Sequence, residues 1–310
     1  MTTRPARPAL PLEVVAVWPL LVAVAAEILV TYSRLPAREL YHVSGSGLSG
    51  GASRVLVFSN FPTALAAIVV LALVADRMSS RAVTTAALVG IALCAAVFWP
   101  GVVDQADLDA KPVNVLSAIG VLIAVALTAA ASHGAVWSGR HAGDRIRLVA
   151  AACALFIGLP WMAAELGFFL TSVPGLDWVF QTGHYRPPPV PPAVHHGHHH
   201  GMDGVLLLLC AALLSRVVPS VRRHWLRVTT GAYLALMSAY AIGNIANDAW
   251  GEEVMKRGWT TWEIPNVLRP NLTIAWGVIV LGAAVLYAAS VWWNRRSSRQ
   301  HVTLAPVVAR

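Results

Sequence analysis

The feature that most constrains the fold of this chain is a series of apolar stretches, each long enough to cross a bilayer. An α-helix needs about 20 apolar residues to span the hydrocarbon core. Of the 310 residues, 57% are hydrophobic and only 12% are charged, and the mean hydropathy is +0.62. A soluble domain of this length is not expected to have such a composition. The sequence predicts eight membrane-spanning helices, at residues 12–33, 55–75, 82–103, 113–132, 148–170, 203–219, 228–249 and 271–293.

The predicted fold class is therefore all-α, a polytopic membrane bundle of about eight transmembrane helices forming one membrane domain over residues 12–293. The first stretch has no small-residue cleavage site and is too long for a signal peptide, so we expect it to remain as a helix. Short polar tails precede and follow the membrane domain, at residues 1–11 and 294–310. Only two loops are long: a Pro/His-rich loop at 171–202 and a Trp/Glu-rich loop at 250–270.

The basic residues indicate the topology. On the side that holds both termini the chain carries 15 of its 23 Lys and Arg residues, against 8 on the other side, and the 15 acidic residues divide 3 to 12 the other way. By the positive-inside rule both termini are cytoplasmic and both long loops face outward. We thus expect a multi-pass protein of the cell membrane. Its net charge of +8 reflects topology and attraction to membrane lipids, and nucleic acid is not implied.

The two halves of the chain show a weak internal similarity. Glu27 and Glu165 each follow two alanines, and Asn114 and Asn271 each open a predicted helix in the corresponding position of their half. This pattern predicts a four-plus-four parallel pseudo-repeat. The three cysteines stand singly in apolar stretches, so we interpret them as small buried hydrophobic residues rather than redox or iron–sulfur ligands.

A dense histidine segment lies directly before the sixth apolar stretch. Neutral imidazoles are ligands that zinc and copper prefer, and residues four apart share one face of a helix. The predicted ligands of a zinc or copper ion are His195, His196, His198, His199, His200 and Asp203. The alternative interpretation is a loosely ordered histidine-rich loop without a defined site.

Polar residues inside the predicted helices concentrate in their outward halves, whereas the inward halves hold almost nothing ionisable. Ionisable residues in membrane helices are costly and usually functional. We expect an outward-facing polar cavity, roofed by the histidine segment. The candidate catalytic residues are Glu165, Glu27 and Asp248, and the candidate substrate-binding residues are Asn60, Tyr240, Asn244 and Trp161. The alternative is that these groups only hydrogen-bond the helices together.

Three functions fit these patterns. The first is a metal-dependent enzyme acting on a lipid-like or apolar substrate in the outer leaflet. The second is a metal-handling or transport protein, which requires a continuous polar path through the inward half of the bundle, past Cys94, Cys153 or Ser215. The third is a lipid-modifying enzyme or membrane cyclase that needs no metal and uses the buried carboxylates Glu27 and Glu165.

Overall fold

In a computed structural model the chain is all-helical, with helices joined by turns and loops and no strands among the residues that the structure describes, which are 10–34, 43–78, 80–102, 104, 107–165, 173–175 and 200–303. The histidines at 195–199, most of the loop at 171–202, and both chain ends fall outside them. Within this part of the chain we number the main helices α1 to α8 in chain order. Their bounds are α1 Leu12–Arg34, α2 Gly47–Arg77, α3 Arg81–Cys94, α4 Pro112–Ala131, α5 Asp144–Glu165, α6 His200–Ser215, α7 His224–Trp250 and α8 Ile274–Thr303.

Seven helical segments in the described residues are long and apolar enough to cross a membrane. They correspond to α1 to α6 and the apolar part of α8, so a multi-pass membrane protein is confirmed. Helix α7 has 27 residues and is long enough to span a membrane, but it is not apolar enough to be among the seven. Its sequence carries a polar stripe at helical spacing, formed by Tyr233, Tyr240, Asn244, Asn247 and Asp248, which includes the predicted site residues Tyr240, Asn244 and Asp248.

The helices alternate in direction, so each end of the bundle collects alternate helix ends. We call the end at which α1 begins the near end and the opposite end the far end. Helix α7 packs along α6 and α8, α1 packs along α2, and α4 packs against α2 and α3. Helices α5 and α8 lie at the edges of the bundle, with most of their apolar side chains exposed. An apolar exposed surface of this kind is expected to face lipid.

Helix α2 contains a π-helical turn at Ser59–Thr63, because Pro62 cannot donate a backbone hydrogen bond. The side chains of Ser59 and Asn60 both donate to the carbonyl of Leu56, at 2.7 Å each. The turn directs Asn60 into the bundle, where it is buried. The second span begins at Gly47, eight residues before its predicted start at residue 55.

A network of ionic and hydrogen bonds joins the helix ends at the near end. The fully buried Glu13 of α1 accepts hydrogen bonds from Arg216 and from the backbone and side chain of Ser138. Arg216 also contacts Asp144 of α5 at 2.6 Å, and Arg147 of α5 donates to Ser215 of α6 at 2.8 Å. The arginines of the near end therefore take part in ion pairs and hydrogen bonds that join helix ends, in addition to indicating the topology.

The segment after α7 folds back along the polar stripe of that helix. Three side chains of α7 donate to the backbone carbonyls of this segment: Trp250 to Trp262 at 2.8 Å, Asn247 to Ile264 at 2.5 Å and Tyr240 to Leu268 at 3.0 Å. This arrangement buries Val267 and Leu268. The Trp/Glu-rich loop is therefore an ordered cover attached to α7 over nearly three helical turns.

Candidate functional site

Five ionisable side chains from four helices meet near the far end of the bundle. We call them the far-end charged cluster: Glu27 of α1, Arg54 of α2, His200 and Asp203 of α6, and Asp248 of α7. Each is at most 7% exposed. Glu27 lies seven residues before the end of α1, which corresponds to a depth of about 10 Å. The cluster is therefore buried by side chains but close to the end of the helices.

His200 and Asp248 form the best-defined pair in this cluster. Nε2 of His200 lies 2.8 Å from Oδ1 of Asp248 and 2.9 Å from Oδ1 of Asn247. The other carboxylate oxygen of Asp248 accepts the backbone N–H of Gly201 at 2.7 Å. That N–H belongs to the first turn of α6, where the helix dipole favours a negative charge. Asp248 therefore fixes the ring of His200 with Nε2 as the hydrogen-bonded nitrogen.

Gly201 makes this pairing possible by allowing α5, α6 and α7 to approach closely. A Cβ atom at this position would lie 2.6 Å from Cβ of Asp248 and 2.7 Å from the Trp161 ring. Trp161 of α5 is only 1% exposed, so the predicted substrate-binding tryptophan packs in the interior beside the pair. Glu165 lies one turn further along α5; its side chain is outside the described residues.

Asp203 lies at the centre of the charge distribution. It interacts electrostatically with Arg54, His200, Asp248 and Glu27. Its Oδ1 atom is buried, and no hydrogen bond from another described residue reaches it. The cluster contains three carboxyl groups, one arginine and one histidine, so carboxyl groups are in excess.

The remaining two members of the cluster are positioned by α1 and α2. Oε1 of Glu27 accepts a hydrogen bond from Thr31 one turn away, at 3.4 Å. The guanidinium of Arg54 lies 5.7 Å from the centre of the Tyr32 ring, which is a cation–π distance. Gly51 brings these helices together, because a Cβ atom there would lie 2.7 Å from the Leu29 carbonyl oxygen.

Asn60 belongs to a separate hydrogen-bonded contact between α2 and α4. Its amide donates to the carbonyl of Asn114 at 3.3 Å, and its carbonyl oxygen accepts the hydroxyl of Ser117. Asn114 in turn accepts the backbone N–H of Lys111 at the start of α4. These bonds use the polar atoms of Asn60 to hold helices together, as the alternative interpretation of the asparagines predicts.

A large apolar cavity among the described residues has a volume of about 640 Å³. Its wall includes Phe61, Trp99, Tyr233, Tyr240 and Trp276. Tyr240 stacks on Trp276 and meets Phe61 edge to face, with ring centres 5.7 and 5.9 Å apart. The volume lies in the usual range of small-molecule sites.

This cavity differs from the predicted polar one. The sequence predicts a polar cavity lined by Glu27, Asn60, Glu165, Asn244 and Asp248. The side chain of Glu165 is outside the described residues, and the other four, Glu27, Asn60, Asn244 and Asp248, are packed in the interior and do not line the apolar cavity. Tyr240 is the predicted residue that does line it. Burial of the carboxylates against Arg54, His200 and Gly201 explains the difference, since polar groups in a membrane protein are stabilised by protein partners.

Tyr240 and Asn244 connect the cavity to the far-end charged cluster. Asn244 is one turn from both Tyr240 and Asp248 on α7, and its amide donates to the carbonyl of Tyr240 at 2.9 Å. Its own side-chain oxygen is buried and has no hydrogen-bond partner among the described residues. Asp203 also interacts electrostatically with Tyr240. The apolar cavity and the cluster thus share one wall of α7.

The predicted metal site is only partly described. His195, His196, His198 and His199 lie outside the described residues, whereas His200 and Asp203 are buried on the first turn of α6. No group of three or more His, Cys, Asp or Glu residues with metal-binding geometry occurs within the described ranges. The zinc or copper ion therefore stays a prediction.

Arg54 is the functional candidate that the sequence analysis missed. Arg54 lies just before the predicted second span, so the sequence-based topology assigns it to the eight basic residues of the outer side. The signal that could have identified it is the small-residue run Ser49-Gly50-Gly51-Ala52, which continues the helix outward and permits close packing against α1.

Comparison of the chain with protein-family models, with curated proteins and with solved structures gave no match.

Proposed function

We propose that this protein is a membrane enzyme that binds an apolar or lipid-like substrate in the aromatic cavity and carries out acid–base chemistry with the far-end charged cluster. The observation that carries the proposal is the convergence of five buried ionisable side chains from four helices beside an apolar cavity. Burying a charge costs several kcal/mol, so such groups in membrane helices usually mark function.

Each part has a chemical role in this proposal. The ring of His200, oriented through Nε2 by Asp248, acts as a general base or acid through Nδ1. Asp203 and Glu27 exchange protons with the polar end of the substrate, and Arg54 stabilises negative charge that develops there. The aromatic cavity holds the apolar part of the substrate, and Tyr240 and Asn244 lie between this cavity and the far-end charged cluster. Glu165 remains a proposed further acid or base.

Charge distribution supports an orientation with the near end in the cytoplasm. The near end contains many of the arginines, among them those at positions 77, 81, 140, 145, 147, 216, 222, 223 and 227. By the positive-inside rule we propose that α7 also spans the membrane, as an eighth span, and that the cluster lies on the extracytoplasmic side of a cell membrane. Both termini are then cytoplasmic.

The interior of the near half favours an enzyme over a transporter. Cys210 is fully buried in α6, Cys153 is exposed on α5, and Ser215 bonds to Arg147 and to its own helix, whereas Cys94, at the far end of α3, packs against Gly120. These contacts give no support to a polar path past the described side chains. A transporter requires such a path in at least one of its states.

The test is a lipid analysis of cells that express the protein. Asp203→Asn removes one acid–base group and keeps the side-chain size, while Asp107→Asn makes the same change in the half-exposed surface pair with Lys111. We expect the parent and Asp107→Asn to change the abundance of at least one apolar or lipid species relative to empty-vector cells. Asp203→Asn should abolish that change, although the protein remains folded. Identical profiles for parent and Asp203→Asn would refute the enzyme proposal.

Metal dependence is the second candidate function, and the orientation of His200 favours it. Histidine ligands commonly donate their other ring N–H to a carboxylate, as Nε2 of His200 does to Asp248. Nδ1 of His200 would then bind zinc or copper together with the histidines at 195–199. The experiment is elemental analysis of untagged protein carrying His196→Ala and His200→Ala, with the exposed His224→Ala as control. For a metal site we expect stoichiometric metal in the parent protein and in His224→Ala and its loss in the double variant. An equal metal content in all three proteins would exclude this candidate.

A further inference from the structure

A second cavity opens on the lipid-facing side of the bundle in its near half. It lies between the edge helices α5 and α8, with α6 and α7 forming its floor, and has a volume of about 290 Å³. We call it the near-end groove. Its wall combines small residues with a few polar ones: Ala142, Gly143, Ala150, Ala211, Ala212, Ser215, Gly231, Ala235 and Ser238. It shares no residue with the aromatic cavity at the far end.

The shape of this groove fits a chain rather than a compact molecule. On α7 its wall runs from Gly231 to Ile242, which are eleven residues apart and separated by about 16 Å along the helix axis. On both sides the groove is bordered by exposed apolar surface. Leu148 and Val149 of α5 are 70% and 62% exposed, and Val285 of α8 is 60% exposed. In a membrane, surfaces of this kind contact acyl chains, so the groove opens into hydrocarbon.

The near-end mouth of the groove is positively charged. Arg147 lines the groove itself but forms an ion pair with Asp144 at 3.0 Å, and Trp293 also lines this end of the groove, as aromatic residues do at headgroup depth. Arg227 lies one turn before Gly231 on α7 and is exposed, and so is Arg145 on α5. Neither makes an ion pair with another described residue. Exposed arginines at the membrane surface attract anionic headgroups.

We propose that the near-end groove is a binding site for one anionic phospholipid. An acyl chain lies in the groove between α5 and α8, and the phosphate is bound by the arginines at the mouth, with Arg227 and Arg145 as its principal contacts. Groove length, its opening to hydrocarbon and the charge at its mouth together select this occupant. The site does not depend on the proposed enzymatic function, because no residue of the far-end charged cluster takes part.

The experiment is a lipid titration of the purified full-length protein in detergent, followed by native mass spectrometry. Phosphatidylglycerol and phosphatidylcholine with identical acyl chains are compared. We expect one phosphatidylglycerol molecule to bind at least tenfold more tightly than phosphatidylcholine. Equal affinity for the two lipids would overturn the anionic part of the proposal.

Two substitutions, each with a matched control, test the binding of the acyl chain and of the lipid headgroup separately. Ala212→Leu fills the groove, whereas Ala288→Leu makes the same change on the exposed part of α8 outside it. Arg227→Gln removes a charge at the mouth, whereas Arg81→Gln removes one at the start of α3, away from the groove. We expect Ala212→Leu to abolish the tight phosphatidylglycerol site and Arg227→Gln to weaken it at least threefold, with both controls unchanged.

Fold integrity is checked by the melting temperature of each variant. If Ala212→Leu does not fold, Ala150→Leu on the opposite wall provides the same test. Retention of the tight site in the folded groove-filled variant would overturn the proposal. A dimer that is detected for the parent protein and is absent only for Ala212→Leu would also overturn the proposal, because a second copy of the chain would then occupy the groove.

Discussion

At the residue scale, Gly201 joins the main parts of the far-end site. Its N–H bonds to Asp248, its lack of a side chain admits both Asp248 and Trp161, and it follows His200 directly in the first turn of α6. The geometry of the His200–Asp248 pair therefore depends on a residue that has no functional group of its own. Nearby substitutions are expected to act through this contact.

Replacing Gly201 by alanine is predicted to destabilise the protein by about 1–3 kcal/mol, because the new Cβ atom must displace Asp248 or the Trp161 ring. The matched control is Gly277→Ala in α8, where nothing lies within 4 Å of the added atom. Alanine there should be neutral or stabilise the helix by about 0.5–1 kcal/mol. Thermal unfolding in detergent measures both effects, and equal melting temperatures for the two variants would contradict the close packing at Gly201.

At the element scale, the helices could largely be predicted from sequence, but their lateral partners could not. Apolar runs locate all eight helices, although α2 begins eight residues before the predicted span and α3 ends nine residues before its predicted end. The polar stripe of α7 is visible as Tyr240, Asn244 and Asp248 at intervals of one turn. Arg54 shows the limit. Its burial depends on the approach of α1 to α2 at Gly51 and on the Tyr32 ring, which involve residues far apart in sequence. The same holds for Glu13, which meets Arg216 only after folding.

The near-end network is predicted to attach α1 to the rest of the bundle. Arg216→Ala leaves the fully buried Glu13 without its cation and removes the link to Asp144, so we expect a loss of about 1–3 kcal/mol. Arg222→Ala is the control, since that side chain is exposed and only its backbone N–H bonds to Asp76. Denaturation in detergent should show a clear loss for Arg216→Ala and little change for Arg222→Ala. A loss of the same size in both would contradict the network.

At the scale of the whole molecule, the near and far ends differ in their charged and aromatic residues. The near end carries the arginines and the ionic network, and the far end carries the excess of buried carboxyl groups, the aromatic cavity and the folded cover after α7. This polarity agrees with a protein that is anchored electrostatically on one side of the membrane and does its chemistry on the other.

Sidedness can be tested with single cysteines in a variant lacking Cys94, Cys153 and Cys210. Gly139 lies at the near end and Gly251 at the far end, and neither position has an atom within 4 Å of an added Cβ. A membrane-impermeant maleimide added to intact cells is expected to label Gly251→Cys and not Gly139→Cys, with both labelled after permeabilisation. The reverse pattern would place the charged cluster on the cytoplasmic side.

The central claim is that the five buried charges act as one coupled unit. Its most direct measurement is a double-mutant cycle between Arg54 and Asp203, with Arg54→Met, Asp203→Asn and the combination. Because the two side chains interact in the interior, we predict a coupling energy of at least about 1 kcal/mol, within the range for residues in one network. The exposed pair Lys111–Asp107 at 3.3 Å should give less than about 1 kcal/mol in the same cycle. Strictly additive effects of Arg54→Met and Asp203→Asn on the free energy of unfolding would contradict a coupled cluster.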